Sequence, residues 1–245
     1  MAGNEVFRRI ATGIVRSRVL HPLGGPALHA TYFALGLTQR EVVSFAQPRR
    51  AGAAARIREI ITDFRPQTVG VDEAYMIRSA VLATAGIPGE LAEVGVFRGG
   101  TARVICEAKG ARPLHLFDTF EGLPAPGPED VWFEQGQYAC TLEQVRAYLA
   151  EYEHIHFHPG LFPATSAPVR DCRFAFVHLD VDLYESTLAA LEFFYPRMNQ
   201  GGMLISHDYV EFDAVHRAFD QYFHATSQPV LELSGNQCLV VKVAE

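Results

Sequence analysis

From Leu91 to Val243 short apolar runs alternate with helical patterns, and this alternation restricts the fold more than any other feature of the chain. The apolar runs are Leu91–Val94, Leu114–Phe117, His154–His158, Phe174–Leu179, Met203–Ser206, Leu231–Leu233 and Gln237–Val243. Helices fall between them near 99–109, 141–152, 185–196 and 211–223. Phe174-Ala175-Phe176-Val177 is apolar at every position, as a central parallel strand covered by helices on both faces must be. The pattern predicts an α/β, Rossmann-like fold with a seven-stranded, mostly parallel sheet and helices on both faces. Only Ser234-Gly235-Asn236 connects the last two runs, which suits an antiparallel hairpin at the end of the sheet. Thr141-Leu142-Glu143-Gln144 fits a capping box. The helix after Glu185 places Leu188, Leu191 and Tyr195 on one face and ends before Gly201-Gly202.

Upstream, residues 51–64 and 72–85 read as helices, ended by Pro66 and by Gly86-Ile87-Pro88-Gly89, while His21–Pro26 breaks an earlier helical stretch. Charge is uneven: residues 1–65 carry ten arginines against four acids, or +6, and the rest carries −13. A targeting peptide is weakened by Glu5 and the lack of a cleavage site, and a nucleic-acid arm would need denser charge. The remaining reading is an amphipathic helical extension over residues 1–68 that packs on the acidic body, residues 69–245, or on a second copy of the chain.

At 245 residues the chain needs no disulfide or metal staple to fold. Its four cysteines stand singly, which excludes a zinc ribbon, a thioredoxin-type site and a disulfide scaffold. No apolar run approaches the ~20 residues of a membrane span. The net charge of −7 argues against nucleic acid as a partner. The expected location is the cytoplasm.

Two strand ends carry chemistry. The first strand runs into Glu93-Val94-Gly95-Val96-Phe97-Arg98-Gly99-Gly100-Thr101 and then a helix. Glycines there let a ligand approach the backbone, and the helix start offers free amides. The next strand ends in Asp118-Thr119, 25 residues after Glu93, where an acid can take the hydroxyls of a ribose or simply cap a helix. A nicotinamide fold prefers G-x-G-x-x-G. Acid-x-Gly-x-x-x-Gly is the usual order in S-adenosylmethionine enzymes. The second cluster lies at two later strand ends: Asp180 and Asp182 on one, His207 and Asp208 on the next. Ligands of open α/β sheets bind beyond such ends, so the four would converge beside a cofactor as carboxylate and imidazole donors for a divalent metal. The plainer alternative is that Asp182 and Asp208 cap the following helices.

E-V-G-V-F-R-G-G-T, L-F-D-T-F-E-G-L-P, H-L-D-V-D-L-Y-E-S-T, F-F-Y-P-R and G-G-M-L-I-S-H-D-Y, in that order over residues 72–225, resemble the macrocin O-methyltransferase family. These are class I, S-adenosylmethionine-dependent, metal-assisted enzymes acting on sugar hydroxyls in antibiotic biosynthesis. The resemblance implies a cofactor site of Glu93, Gly95, Val96, Phe97, Arg98 and Gly99 for the methionine part. Asp118 would hold the ribose, with Thr119 and Phe120 nearby and Gly160 at the adenine edge. It implies Asp180 and Asp208 as metal ligands and Asp182 as general base. Where the family has two adjacent acids, this chain has His207-Asp208. His207 is therefore open to three readings: a ligand in a site of altered metal preference, a base in an enzyme with little metal dependence, or an outer contact. Mg or Mn is the expected ion, although imidazole suits Mn, Fe, Ni or Zn better than Mg.

His154, His156 and His158 alternate along one strand and read as a partly covered strand face rather than a metal triad. The Pro- and Gly-rich stretch from Pro124 to Cys140, with Trp132, reads as a lid or binding loop. The expected reaction is O-methylation of a small hydroxyl-bearing acceptor, a sugar in the first instance, by a homo-oligomer. A phenolic acceptor, or another use of the same cofactor, is the alternative.

Overall fold

The computed structural model describes residues 45, 47–62 and 69–243. The basic arm, its break at His21–Pro26 and the 68/69 boundary lie outside the described residues. The chain divides into two compact units between Gln47 and Pro48. The second contains α1 (Pro48–Thr62), α2 (Val71–Ala83), β1 (Glu90–Val94), α3 (Gly100–Lys109), β2 (Leu114–Asp118), α4 (Leu142–Tyr148) and β3 (Ile155–Pro159). It continues with β4 (Phe174–Leu179), α5 (Tyr184–Phe194), β5 (Met198–Ser206), α6 (Asp213–Phe223), β6 (Leu231–Glu232) and β7 (Cys238–Val241). Among the described residues no helix is long and apolar enough to cross a membrane.

The strands form one seven-stranded sheet in the order β3-β2-β1-β4-β5-β7-β6. The first five are parallel, and β7 runs antiparallel to both β5 and β6. The expected mostly parallel sheet with a terminal hairpin is therefore present. The order reverses beside β1, between β1 and β4, which opens a crevice at their carboxyl ends.

Side chains alternate across the sheet with period 2, and the two faces build two cores. Leu91, Leu114, Leu116, Phe176 and Ile205 pack under α2, α3 and α4. Ala92, Val94, Phe117, Val177 and Leu204 pack under α5 and α6. On the second face the Phe194 ring lies 5.8, 5.3, 5.0 and 5.0 Å from those of Phe117, Phe162, Phe174 and Phe193. A third cluster, Ile57, Ile60 and Ile61 with Val69, Ala74 and Val104, seats α1 on α2 and α3.

Three sequence expectations are adjusted. β5 starts at Met198, not Met203: Gly201 (φ +81°) lies in an irregular stretch between the Phe174–Met198 and Phe176–Met203 pairs. Helix α4 ends at Tyr148, four residues early, because Leu149 leaves helical geometry. His154 precedes β3 in a left-handed conformation (φ +58°) and does not extend the histidine face. His156 is exposed and His158 half-buried, and both stack on His115 of β2 at 4.9 and 5.2 Å. The capping box forms as read, with Thr141 Oγ1 accepting from Gln144 N at 3.3 Å and Gln144 Oε1 from Thr141 N at 3.0 Å.

Truncating Phe194 to Ala removes the ring at the centre of the second core and costs about 3–5 kcal/mol in denaturant unfolding. Phe193→Ala removes a less buried ring and costs clearly less; equal losses would place the core elsewhere.

Candidate active site

β1 ends at Val94, and Gly95 turns at φ +84° to let the end of β4 pass: a Cβ there would sit 1.7 Å from the Asp180 carbonyl oxygen. No side chain can replace that hydrogen without moving β4. Asp180 N donates to Val94 O at 2.9 Å, so the two strand ends are tied at the same point.

The turn that follows is held by Asp118. Its Oδ2 accepts from the amides of Val96 and Phe97 at 2.7 and 2.9 Å, and its Oδ1 from Phe120 N at 2.7 Å. Thr119 Oγ1 donates to Gly122 O at 2.6 Å. Asp118 thus braces the glycine-rich turn, and one of its roughly four acceptor positions is left for a ligand.

The turn opens into a cavity of about 360 Å³. Gly95, Val96, Phe97, Arg98, Asp118, Thr119 and Gly160 are on its wall, and so are Asp180, Asp182, His207 and Asp208. Three residues expected at the cofactor are not. Glu93 is wholly buried and pairs with His178 Nδ1 at 2.9 Å, because the strand period directs it to the opposite face from Val94. Gly99 turns at φ +83° to start α3, facing Val145 and Tyr148. Phe120 meets Asp118 through its amide and buries its ring.

The acid cluster lines the same cavity. His207 Nδ1 lies 2.9 Å from Asp208 Oδ1 and 3.5 Å from Asp180 Oδ1. Its Nε2 lies 3.4 Å from Oε2 of Glu73, a residue of α2 that the sequence did not single out. Burial opposes the charge on His207, but Asp180, Asp208 and Glu73 together push it up to about 12. Burial likewise works against Glu73, yet His207 and the amides of Asn236 and Gly70 hold it down to about 2. Burial pushes Asp180 up against the pull of His207, and pushes Asp182 well up with Asp180 and Asp208 beside it. Asp182 and Asp208 both adopt left-handed backbone (φ +60° and +62°), strain of the kind that concentrates at functional sites.

Asn236, in the β6–β7 connector, completes the brace. Its Nδ2 donates to Asp208 Oδ1 at 2.8 Å and its backbone N to Glu73 Oε1 at 2.9 Å. Tyr138 also lines the cavity, and burial together with Asp182 and Asp208 raises its hydroxyl. Glu73 could have been read only as a helix-capping acid, and it does accept from Gly70 N at 2.6 Å.

Asp180, His207 and Asp208 each offer one ligand atom within 4.8 Å of the others. One His207 nitrogen faces both carboxylates; the other is buried 3.4 Å from Glu73 and makes no hydrogen bond among the described residues. The residues present therefore fit a divalent ion.

Residues 71–233 match the macrocin O-methyltransferase (TylF) family. The chain is 37% identical over 169 residues to the 8-demethyl-8-(2,3-dimethoxy-α-L-rhamnosyl)-tetracenomycin-C 4′-O-methyltransferase of Streptomyces olivaceus, covering 61% of this chain and 64% of that one. It is 31% identical over 170 residues to the mycinamicin III 3″-O-methyltransferase of Micromonospora griseorubida, covering 60% and 66%. The chain thus spans just under two thirds of the curated relatives it matches. The O-methyltransferase NovP superposes with a TM-score of 0.61 at 27% identity, over 72% of this chain and 81% of that one. The calicheamicin methyltransferase CalS11 shares the fold at 0.61 and 18% identity, over 82% and 97%. With its motifs, its sheet order and two thirds of its length matched, the chain belongs to the macrocin O-methyltransferase family.

Proposed function

We propose that this protein transfers the methyl group of S-adenosylmethionine to a hydroxyl of a small natural product, a sugar in the first instance, with a divalent cation in the acid cluster. One observation carries the reading: the glycine-rich turn and the acid cluster open into the same cavity, so a cofactor on the first lies against an acceptor on the second. The relatives named above are sugar and natural-product O-methyltransferases, which favours this acceptor class.

In this reading the turn amides and Asp118 position the cofactor. Asp118 uses its remaining acceptor position for a ribose hydroxyl. Asp180, Asp208 and His207 Nδ1 would hold the cation, which when bound lowers the pKa of a hydroxyl placed beside it. Glu73, 3.4 Å from Nε2, places its charge on the other side of the ring. Asp182 takes the hydroxyl proton from its place on the cavity wall beside Asp180 and Asp208. When bound, the cofactor would supply the methyl group, which passes to the hydroxyl oxygen while the S–C electron pair stays on sulfur. His207 is not the base in this reading, because its Nδ1 is used on the cation and its Nε2 faces Glu73. Tyr138, Ser186, Glu211 and Phe212 line the same cavity and are the groups available to an acceptor.

Asp182→Asn should lower turnover by about 10²-fold or more while S-adenosylhomocysteine binds with wild-type affinity in calorimetry. Full activity in that variant would remove Asp182 as the base. Asp118→Asn places an amide N–H₂ against the turn's own N–H groups, and cofactor affinity should fall about tenfold or more. Unchanged affinity would show that neither the brace nor the ribose contact matters. Mn²⁺ binding to chelator-treated protein, followed by the electron paramagnetic resonance of the free ion, should weaken at least about tenfold in His207→Ala. Equal binding would take His207 out of the ligand set.

A further inference from the structure

Among the described residues a second set of three ligand-type side chains converges, at the opposite end of the sheet from the cavity. Glu90 opens β1, His115 is the second residue of β2, and Cys172 lies two residues before β4. Their ligand atoms all fall within 4.8 Å of one another. We propose that Glu90, His115 and Cys172 form a zinc site that clamps the amino-terminal edge of the sheet.

The donors come from three chain segments that are neighbours only in the folded sheet. His115 Nε2 lies 2.6 Å from Glu90 Oε2, and its Nδ1 lies 2.9 Å from His158 Nε2. Without an ion Nε2–H donates to Glu90 and Nδ1 accepts from His158; on binding, the proton would shift to Nδ1, with His158 as its acceptor, and free the Nε2 lone pair for the ion. Among the described residues no Lys or Arg lies within 4.0 Å of the Glu90 carboxylate; its ion-pair partner there is His115. A divalent ion would give the carboxylate a fixed positive partner.

Thiolate, imidazole and carboxylate together suit Zn²⁺, whereas the acid cluster of the cavity contains no sulfur. Zinc would sit about 2.0–2.3 Å from each donor, with solvent as the fourth ligand. The 2.6 Å Glu90–His115 contact then has to open, and Glu90 can move because its side chain is one-third exposed at the first position of its strand. On binding, the Cys172 thiol gives its proton to solvent and the thiolate takes its place on the ion.

The test is a Co²⁺ titration of the chelator-treated full chain, read as thiolate-to-cobalt charge transfer in the near ultraviolet. We expect one equivalent to raise the band, Zn²⁺ to displace it, and Asp208→Asn and Cys140→Ser to retain it. Cys172→Ser and His115→Gln should lose it. In the Asp208→Asn background, one equivalent of Zn²⁺ should also raise the thermal midpoint by about 5 °C, and adding Cys172→Ser or His115→Gln to that background should abolish the rise. Absence of the band in protein that still binds S-adenosylhomocysteine overturns the site. Persistence of the band in Cys172→Ser does so too. Neither outcome bears on the methyl-transfer reading, since no residue of this cluster reaches the cavity.

Discussion

The site depends on one close approach, between the end of β1 and the end of β4. Gly95 has no Cβ, so the Asp180 carbonyl can occupy the space a methyl group would need. Through that contact the glycine-rich turn and the catalytic strand end share one wall. Asp118 then locks the turn from the other side with three amide hydrogen bonds. The conformation of that turn is thus set by the fold before any ligand arrives.

Most of this was legible in the sequence, because it lies at strand ends and strand ends are marked by glycine and acid. The sheet, its hairpin and the positions of Asp180, Asp182, His207 and Asp208 all follow from local pattern. What escaped the sequence is tertiary. Glu73 sits in the first turn of α2 and reads as a cap; its approach to His207 exists only because α2 lies over β5. Asn236 reads as a turn residue, yet it holds Asp208 and Glu73 together. Glu93 was placed at the cofactor by motif, but the alternation of a strand sends it into the core beside His178. Motif position and side-chain direction are separate properties, and only the second depends on the sheet register.

The histidines divide the same way. His156 and His158 were correctly read as a partly covered strand face, but their neighbour on that face, His115, belongs to another strand and no spacing rule connects them. Clusters that gather across parallel strands leave almost no trace in one sequence, because the contacts are separated by whole helices.

The acid cluster carries an imbalance that explains its chemistry. Glu73, Asp180, Asp182 and Asp208 surround a single imidazole, so even a charged ring leaves an excess of negative charge. Water cannot screen it well, because His207 and Asp208 are buried. Two responses relieve such an excess: protons on the carboxylates, or a cation among them. The raised Asp180 and Asp182 are the first response. The second would leave Asp182 free to shed its proton, the state a general base requires. With His207 where the family resemblance sets a second acid, the cluster carries one carboxylate fewer, and Glu73, 3.4 Å from Nε2, places one on the far side of the ring.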